Sequence, residues 1–268
     1  MSPRPDAESL PALAAFAEEL AAAAGKAILP HFRTPLAVED KGDGSLFDPV
    51  TEADRAAEAV MRGMIAARFP DHGIRGEEFA DRNPDAEHGW VLDPIDGTKS
   101  FIIGFVGWGT LIGLMRRGTP ILGLMSQPFT GELFIGHGGR AHYRGPAGDR
   151  ALKSRRCGAL GRAMLTTTSP SLIEDEADLA RYRELETRVR LSRYGGDCYA
   201  YCMIADGHVD LVAETGLKMH DIAPLVPIIE GAGGLVTDWN GGSALGGGRV
   251  LAAGDRRIHA AALKILAG

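Results

Sequence analysis

Apolar residues return every three or four positions between residues 9 and 29, at Leu13, Phe16, Leu20, Ala24 and Ala27, and Pro30 follows. That spacing predicts an amphipathic helix ended by a breaker. Residues 38–48 are polar and rich in glycine and predict a loop or ribbon; their oxygen-bearing residues do not fall at EF-hand spacing. A second helix starts after Thr51, where Asp54 three residues on permits a capping-box pairing, with Ala57, Val60, Met61, Met64, Ile65 and Phe69 on one face. Residues 74–79 form a short strand that ends in the adjacent carboxylates Glu77 and Glu78, which point to opposite sides. Apolar runs at 90–92, 108–115 and 120–127, then 132–136 and 141–144 across Gly138 and Gly139, predict sheet strands. From about residue 150 strands and helices alternate. Strands are expected at 163–168, 190–194, 209–213, 235–238 and 249–253, and helices at 172–189, 197–205, 222–231 and 256–266.

The pattern therefore predicts a single unit over residues 1–268, with an α+β half at 1–150 and an α/β half at 151–268. A content of 45% hydrophobic residues supports a sizeable core without staples. The formal net charge of −6, with no long Lys/Arg run, gives no reason to expect nucleic acid, and an anionic substrate would need a metal to bring it in. Neither a membrane span nor a basic, apolar leader is legible, so a cytoplasmic protein is expected. The cysteines, Cys157, Cys198 and Cys202, form no CxxC pair; the spacing of the last two suits packing on a helix. The glycine-rich stretch at 241–248 lacks the lysine of a nucleotide cradle and reads as a turn.

The chemistry concentrates where the strand 90–92 runs into Asp93-Pro94-Ile95-Asp96-Gly97-Thr98. Asp-Pro and Asp-Gly also occur in plain surface turns. Yet Asp48, Glu77, Asp93, Asp96 and Asp221 all stand at ends of elements. Carboxylates gathered in a fold repel one another unless cations lie between them, and Mg²⁺ takes such oxygen ligands.

The segments Asp48-Pro49-Val50-Thr51-Glu52-Ala53-Asp54, Gly76-Glu77-Glu78, Trp90-Val91-Leu92-Asp93-Pro94-Ile95-Asp96-Gly97-Thr98, Glu214 with Asp221, and Glu230-Gly231-Ala232-Gly233-Gly234 together resemble the inositol monophosphatase family. The resemblance implies a sugar-phosphatase fold of layered α-β-α-β-α architecture, a homodimer, and Mg²⁺-dependent hydrolysis of a small phosphorylated metabolite. It also implies metal ligands at Glu77, Asp93, the Ile95 carbonyl, Asp96 and Asp221, with Asp93 bridging two of two or three ions. The attacking water would be held by Glu77 and Thr98, with Asp48 accepting the Thr98 hydroxyl. Gly97 and Thr98 would offer N–H groups to the phosphate if they begin a helix. Lys41 matches a loop lysine of the family and reads equally as a solvated surface lysine.

The substrate end departs from inositol phosphatases, which usually carry Trp before the late aspartate and Asn near the end of the central motif. Here His220 precedes Asp221, and the central motif continues Lys99-Ser100-Phe101. The run Tyr194-Gly195-Gly196-Asp197-Cys198-Tyr199-Ala200-Tyr201 looks like the histidinol-phosphatase branch. Asp197 and Glu214 would then face a substrate amine through charge-assisted hydrogen bonds, although Asp197 also suits a helix cap. His220 could meet the substrate imidazole or a metal-bound water, but beside a metal ligand it reads first as a packed neighbour and is left out of the catalytic set. L-Histidinol phosphate is thus the expected substrate. Inositol 1-phosphate or another sugar or nucleotide phosphate is the alternative, and a catalytically silent metal- or phosphate-binding regulator is the rival of another class.

Overall fold

Helix α1 (Leu10–Ile28) buries Leu13, Phe16, Leu20 and Ala24 as the periodicity requires, and its chain turns at Pro30. The computed structural model describes residues 8–35, 37–40 and 49–267. Strand β1 (Val38–Asp40) pairs antiparallel with β2 (Pro49–Thr51), so the polar stretch is flanked by a ribbon; Lys41 and Asp48 lie outside the described residues. Helix α2 (Glu52–Arg68) opens with the expected capping box. Asp54 Oδ2 accepts the Thr51 N–H at 2.9 Å and the Thr51 hydroxyl at 2.6 Å, and the Ala53 N–H donates to Thr51 Oγ1. Val60, expected on its apolar face, is 40% exposed, whereas Glu58 is wholly buried.

Strands β3 (Gly73–Gly76), β4 (His88–Asp96), β5 (Gly109–Arg116), β6 (Thr119–Gln127), β7 (Glu132–His137), β8 (Arg140–Gly145) and β9 (Gly148–Ala151) lie side by side in chain order as a seven-stranded sheet. Only the β3–β4 pairing among them is parallel. The short helix α3 (Thr98–Ile102) follows β4. Then come β10 (Met164–Thr167), α4 (Glu176–Arg188), β11 (Leu191–Tyr194), α5 (Asp197–Ala205), β12 (Leu211–Leu217), α6 (Met219–Ile222), α7 (Val226–Gly231), β13 (Leu235–Thr237), β14 (Gly248–Ala253) and α8 (Arg256–Leu266). The five strands make a second sheet in the order β11-β10-β12-β14-β13.

Two expected helices change shape for local reasons. The helix expected from 172 begins at Glu176, because the Asp175 carboxylate caps it by accepting the Asp178 N–H at 2.9 Å. The helix expected over 222–231 is two, since Pro224 falls between α6 and α7. Strand β12 runs on to Leu217, so Glu214 lies within a strand.

Three apolar clusters define the layers. One joins α1 and α2 to the seven-stranded sheet, a second joins that sheet to α5, α7 and the five-stranded sheet, and a third covers the five-stranded sheet with α4 and α8. This is the layered α-β-α-β-α order that the family resemblance implies. Cys157, Cys198 and Cys202 are buried in these clusters and unbridged. No described helix is long and apolar enough to cross a membrane.

The central layer sits on a row of glycines. Gly113, Gly123 and Gly136 are cross-strand partners on β5, β6 and β7. A Cβ on Gly123 would overlap the Pro224 carbonyl, and one on Gly136 the Pro227 carbonyl. The missing side chains let the backbone of 224–228 lie directly on the sheet. That seat fixes α6, and with it Asp221, over the end of β4.

Candidate active site

Strand β4 does not end at Leu92 as expected. It continues to Asp96 through an irregularity in its pairing with β5, where Asp93 faces Leu111 and Asp96 faces Gly109. Such an interruption re-aims side chains, and here it turns both carboxylates toward one hollow. The Asp93 Oδ1 accepts the Ile95 N–H at 3.1 Å, and the Thr110 hydroxyl holds the Pro94 carbonyl at 2.8 Å.

Gly97 ends the turn at φ 84° and is the N-cap of α3, which begins at Thr98, so the helix start left as a condition in the sequence is present. A side chain here would press on the Gly107 carbonyl and on Asp197. The Thr98 hydroxyl donates to the Ile95 carbonyl at 3.0 Å. The expected partner Asp48 lies outside the described residues; within them the hydroxyl folds back three residues onto the strand end, a common local pairing for threonine.

Oxygen and nitrogen atoms of Glu77, Asp93 and His220 lie within 4.8 Å of one another, and so do those of Asp93, Asp96 and Asp221. The two groups share Asp93, which is 2% exposed. Burial, followed by the charges of Glu77, Asp96 and Asp221, raises the Asp93 pKa well above the usual carboxylate range. Burial raises Asp96 likewise, ahead of the charges of Asp197 and Asp221. Asp221 is raised by burial, against lowering by His220 and by the Lys218 N–H. Three carboxylates that resist ionisation together are the donor set a divalent cation relieves, so these residues fit a hard metal. His220, read from sequence as a packed neighbour, is brought into the first group, its Nε2 3.4 Å from Asp221 Oδ1. Its adjacency to Asp221 was the available signal.

A third grouping, Glu8, His72 and His88, does not fit a metal as well. The Trp90 indole N–H donates to His72 Nδ1 at 3.1 Å, so a neutral His72 keeps its proton on Nε2.

The acidic groups open onto a cavity of about 310 Å³ lined by Thr98, Lys99 and Lys218 besides the carboxylates. A second hollow of about 120 Å³ adjoins it, sharing Asp96 and Asp221, and is walled by Thr168, Asp197, Glu214 and Leu217. Asp197 does not cap α5 with its side chain. Asp96 Oδ2 does, accepting the Cys198 N–H at 2.6 Å, while Asp197, at φ 41°, accepts the Ser100 hydroxyl at 3.1 Å. Burial raises the Asp197 pKa, against lowering by Ser100 and Thr168. Glu214 is buried with both oxygens engaged, one by the Thr168 N–H at 2.6 Å and the other by the Tyr201 hydroxyl at 2.9 Å. Burial raises its pKa as well. Sequence reasoning missed Ser100, Thr168 and Tyr201, whose roles depend on contacts 97, 46 and 13 residues away.

The sequence model of the Inositol monophosphatase family matches residues 10–267. The chain is 46% identical over 264 residues to the Arabidopsis thaliana protein named bifunctional phosphatase IMPL2, chloroplastic, covering 94% of this chain and 74% of that one. It is 34% identical to the histidinol-phosphatase of Streptomyces coelicolor, over 91% of this chain and 92% of the relative. Among solved structures, an inositol monophosphatase from Zymomonas mobilis superposes with a TM-score of 0.87 at 40% identity, covering 97% of this chain and all of that one (100%).

Proposed function

The chain belongs to the inositol monophosphatase family, and from that premise we propose that it is a histidinol-phosphatase, hydrolysing L-histidinol phosphate to L-histidinol and phosphate in the cytoplasm. Membership makes it a phosphatase acting on a small phosphate ester and dependent on a metal, generally Mg²⁺. The observation that carries the finer reading is the Asp197 carboxylate, held by Ser100 in the wall of a hollow that opens beside the acidic cavity. A substrate with phosphate at one end and an amine at the other matches that division of charge. Leu172, Ile173, Leu217 and Leu225 give the same hollow apolar surface for a flat imidazole. The similarity to histidinol-phosphatases supports the assignment.

In this reading Glu77, Asp93, the Ile95 carbonyl, Asp96 and Asp221 would hold the metal, two or three ions in all. Bound there, Mg²⁺ would neutralise phosphate charge and clamp the attacking and leaving oxygens. Thr98, whose proton is committed to Ile95, offers its lone pairs to orient the attacking water, and the Glu77 carboxylate takes the proton that water gives up. The N–H groups of Gly97 and Thr98 bind phosphate oxygens, with Lys99 and Lys218 adding positive charge at the cavity wall. Asp48 is proposed to accept the Thr98 hydroxyl in place of the Ile95 carbonyl once that carbonyl turns to a cation. Glu214, already engaged on both oxygens, shapes the wall and adds negative charge, and Asp197 accepts the amine. We extend the proposal to a homodimer, supported by Ile103 and Phe105, which stand 64% and 66% exposed after α3; sedimentation tests it.

Phosphate release with Mg²⁺ on L-histidinol phosphate, myo-inositol 1-phosphate, fructose 1,6-bisphosphate and adenosine 3′,5′-bisphosphate decides the substrate. A lead of a hundredfold or more in kcat/KM for histidinol phosphate, about 2.7 kcal/mol of discrimination, is expected. A lead for inositol phosphate would leave the phosphatase and remove the specificity.

A further inference from the structure

Glu58 lies on the buried face of α2, wholly removed from solvent, although nothing in the periodicity of that face calls for a charge. Its carboxylate is fully committed. Oε1 pairs with Arg62 Nε one turn along the helix at 2.7 Å, and Oε2 accepts the Glu78 N–H at 2.8 Å. The same carboxylate packs so closely under Gly76 that any Cβ there would overlap it. Arg62 extends the hold, donating to the Phe79 carbonyl at 2.9 Å and lying 5.8 Å over the Phe79 ring. Residues 76, 78 and 79 are therefore each gripped from α2, and Glu77 is the one between them.

We infer that Glu58, braced by Arg62, is a positioning residue that fixes the 76–79 turn so that Glu77 meets Asp93 and His220 in metal-binding geometry. The inference rests on the reading of Glu77 as a metal ligand. An ion pair buried only for stability is replaceable by apolar side chains, whereas this one spends its second oxygen on the backbone of a ligand-bearing turn. A ligand on a turn outside regular structure is oriented by such outer hydrogen bonds. Strand β3 ends at Gly76, and Glu77 opens the bend that these contacts from α2 hold.

The test is Mn²⁺ binding by calorimetry on the full chain, alongside the Mg²⁺ dependence of phosphate release, for Glu77→Gln, Glu58→Ala and Arg62→Met. The binding event that Glu77→Gln weakens is expected to be weakened at least tenfold by Glu58→Ala and at least threefold by Arg62→Met. The Mg²⁺ concentration for half-maximal rate should rise in step, with a smaller change in kcat at saturating metal. Arg62→Met keeps the test decisive if Glu58→Ala does not fold. If Glu77→Gln weakens binding while the α2 variants stay within twofold of the parent and lose only thermal stability, the positioning role is overturned and the metal reading stands. If Glu77→Gln weakens no event, the metal reading falls and this inference with it.

Discussion

Asp93 shows how a single side chain can be costly in one state and necessary in another. Buried beside Glu77, Asp96 and Asp221, it resists ionisation, yet only its charged form can hold a cation. Metal binding near neutral pH should therefore release protons, and Mg²⁺ affinity should fall as pH falls through the raised pKa values of Asp93, Asp96 and Asp221. Calorimetry in buffers of different ionisation enthalpy counts those protons, and a count of zero would contradict the burial. Asp93→Asn removes the charge both groups share and should reduce turnover at least a thousandfold with the circular dichroism spectrum unchanged. Asp197→Ala should raise KM for an amine-bearing phosphate at least tenfold and leave a neutral sugar phosphate nearly unaffected; equal effects on both would remove amine recognition. The convergence of the central-motif carboxylates was legible in the sequence because Glu77 and Asp221 stand with them at ends of elements, although Asp-Pro and Asp-Gly by themselves also suit a plain turn. Glu58 was not, since a glutamate on a helix gives no local sign that it will be buried under a turn 20 residues away.

At the scale of elements, the ends of helices carry more than their own stability. Helix α5 is capped by Asp96 from β4, so the start of one element depends on a carboxylate from another. Helix α8 keeps its cap local: Asp255 accepts the Arg257 N–H and side chain and also the Cys157 N–H, and Arg257 is first among the groups that lower its pKa to about 2. A carboxyl whose pKa is lower folded than unfolded adds stability above the unfolded value and loses it as pH falls through the folded one. Between about pH 4 and 2 this cap should thus give up about 1 kcal/mol once solvent screening is allowed for. Asp255→Asn should flatten that part of the acid-unfolding curve. The periodic helices and apolar strands were readable; the division of 222–231 and the late start of α4 were missed because proline position and a capping aspartate outweighed the apolar spacing.

Across the whole molecule, the acidic cavity takes Glu77, Asp93 and Asp96 from beside the seven-stranded sheet and His220 and Asp221 from α6, which follows the five-stranded sheet's β12. A cation there would tie the two sheets together. Without metal, the raised carboxyls bind protons more tightly folded than unfolded, so stability is highest below the unfolded pKa and is lost as pH rises through the folded values. Mg²⁺ at a hundred times its dissociation constant at pH 8 should restore about 2.7 kcal/mol there, seen as a rise in Tm that is larger than the same Mg²⁺ concentration gives at pH 5. The alternation of strands and helices made a covered sheet in the second half legible and the family resemblance implied the order of layers, but which segment would cover the seven-stranded sheet was not readable, since the seat is made by what Gly113, Gly123 and Gly136 lack. That absence has a consequence for how the gene can vary. Every single-base change of a glycine codon that alters the residue adds a side chain or ends the chain, and at Gly123 and Gly136 even a methyl group meets backbone that cannot step aside. In a saturation library scored for growth or activity, these two positions should be as intolerant as Asp93, although they lie outside the residues lining the acidic cavity; tolerance of alanine at both would mean that the layer above can slide.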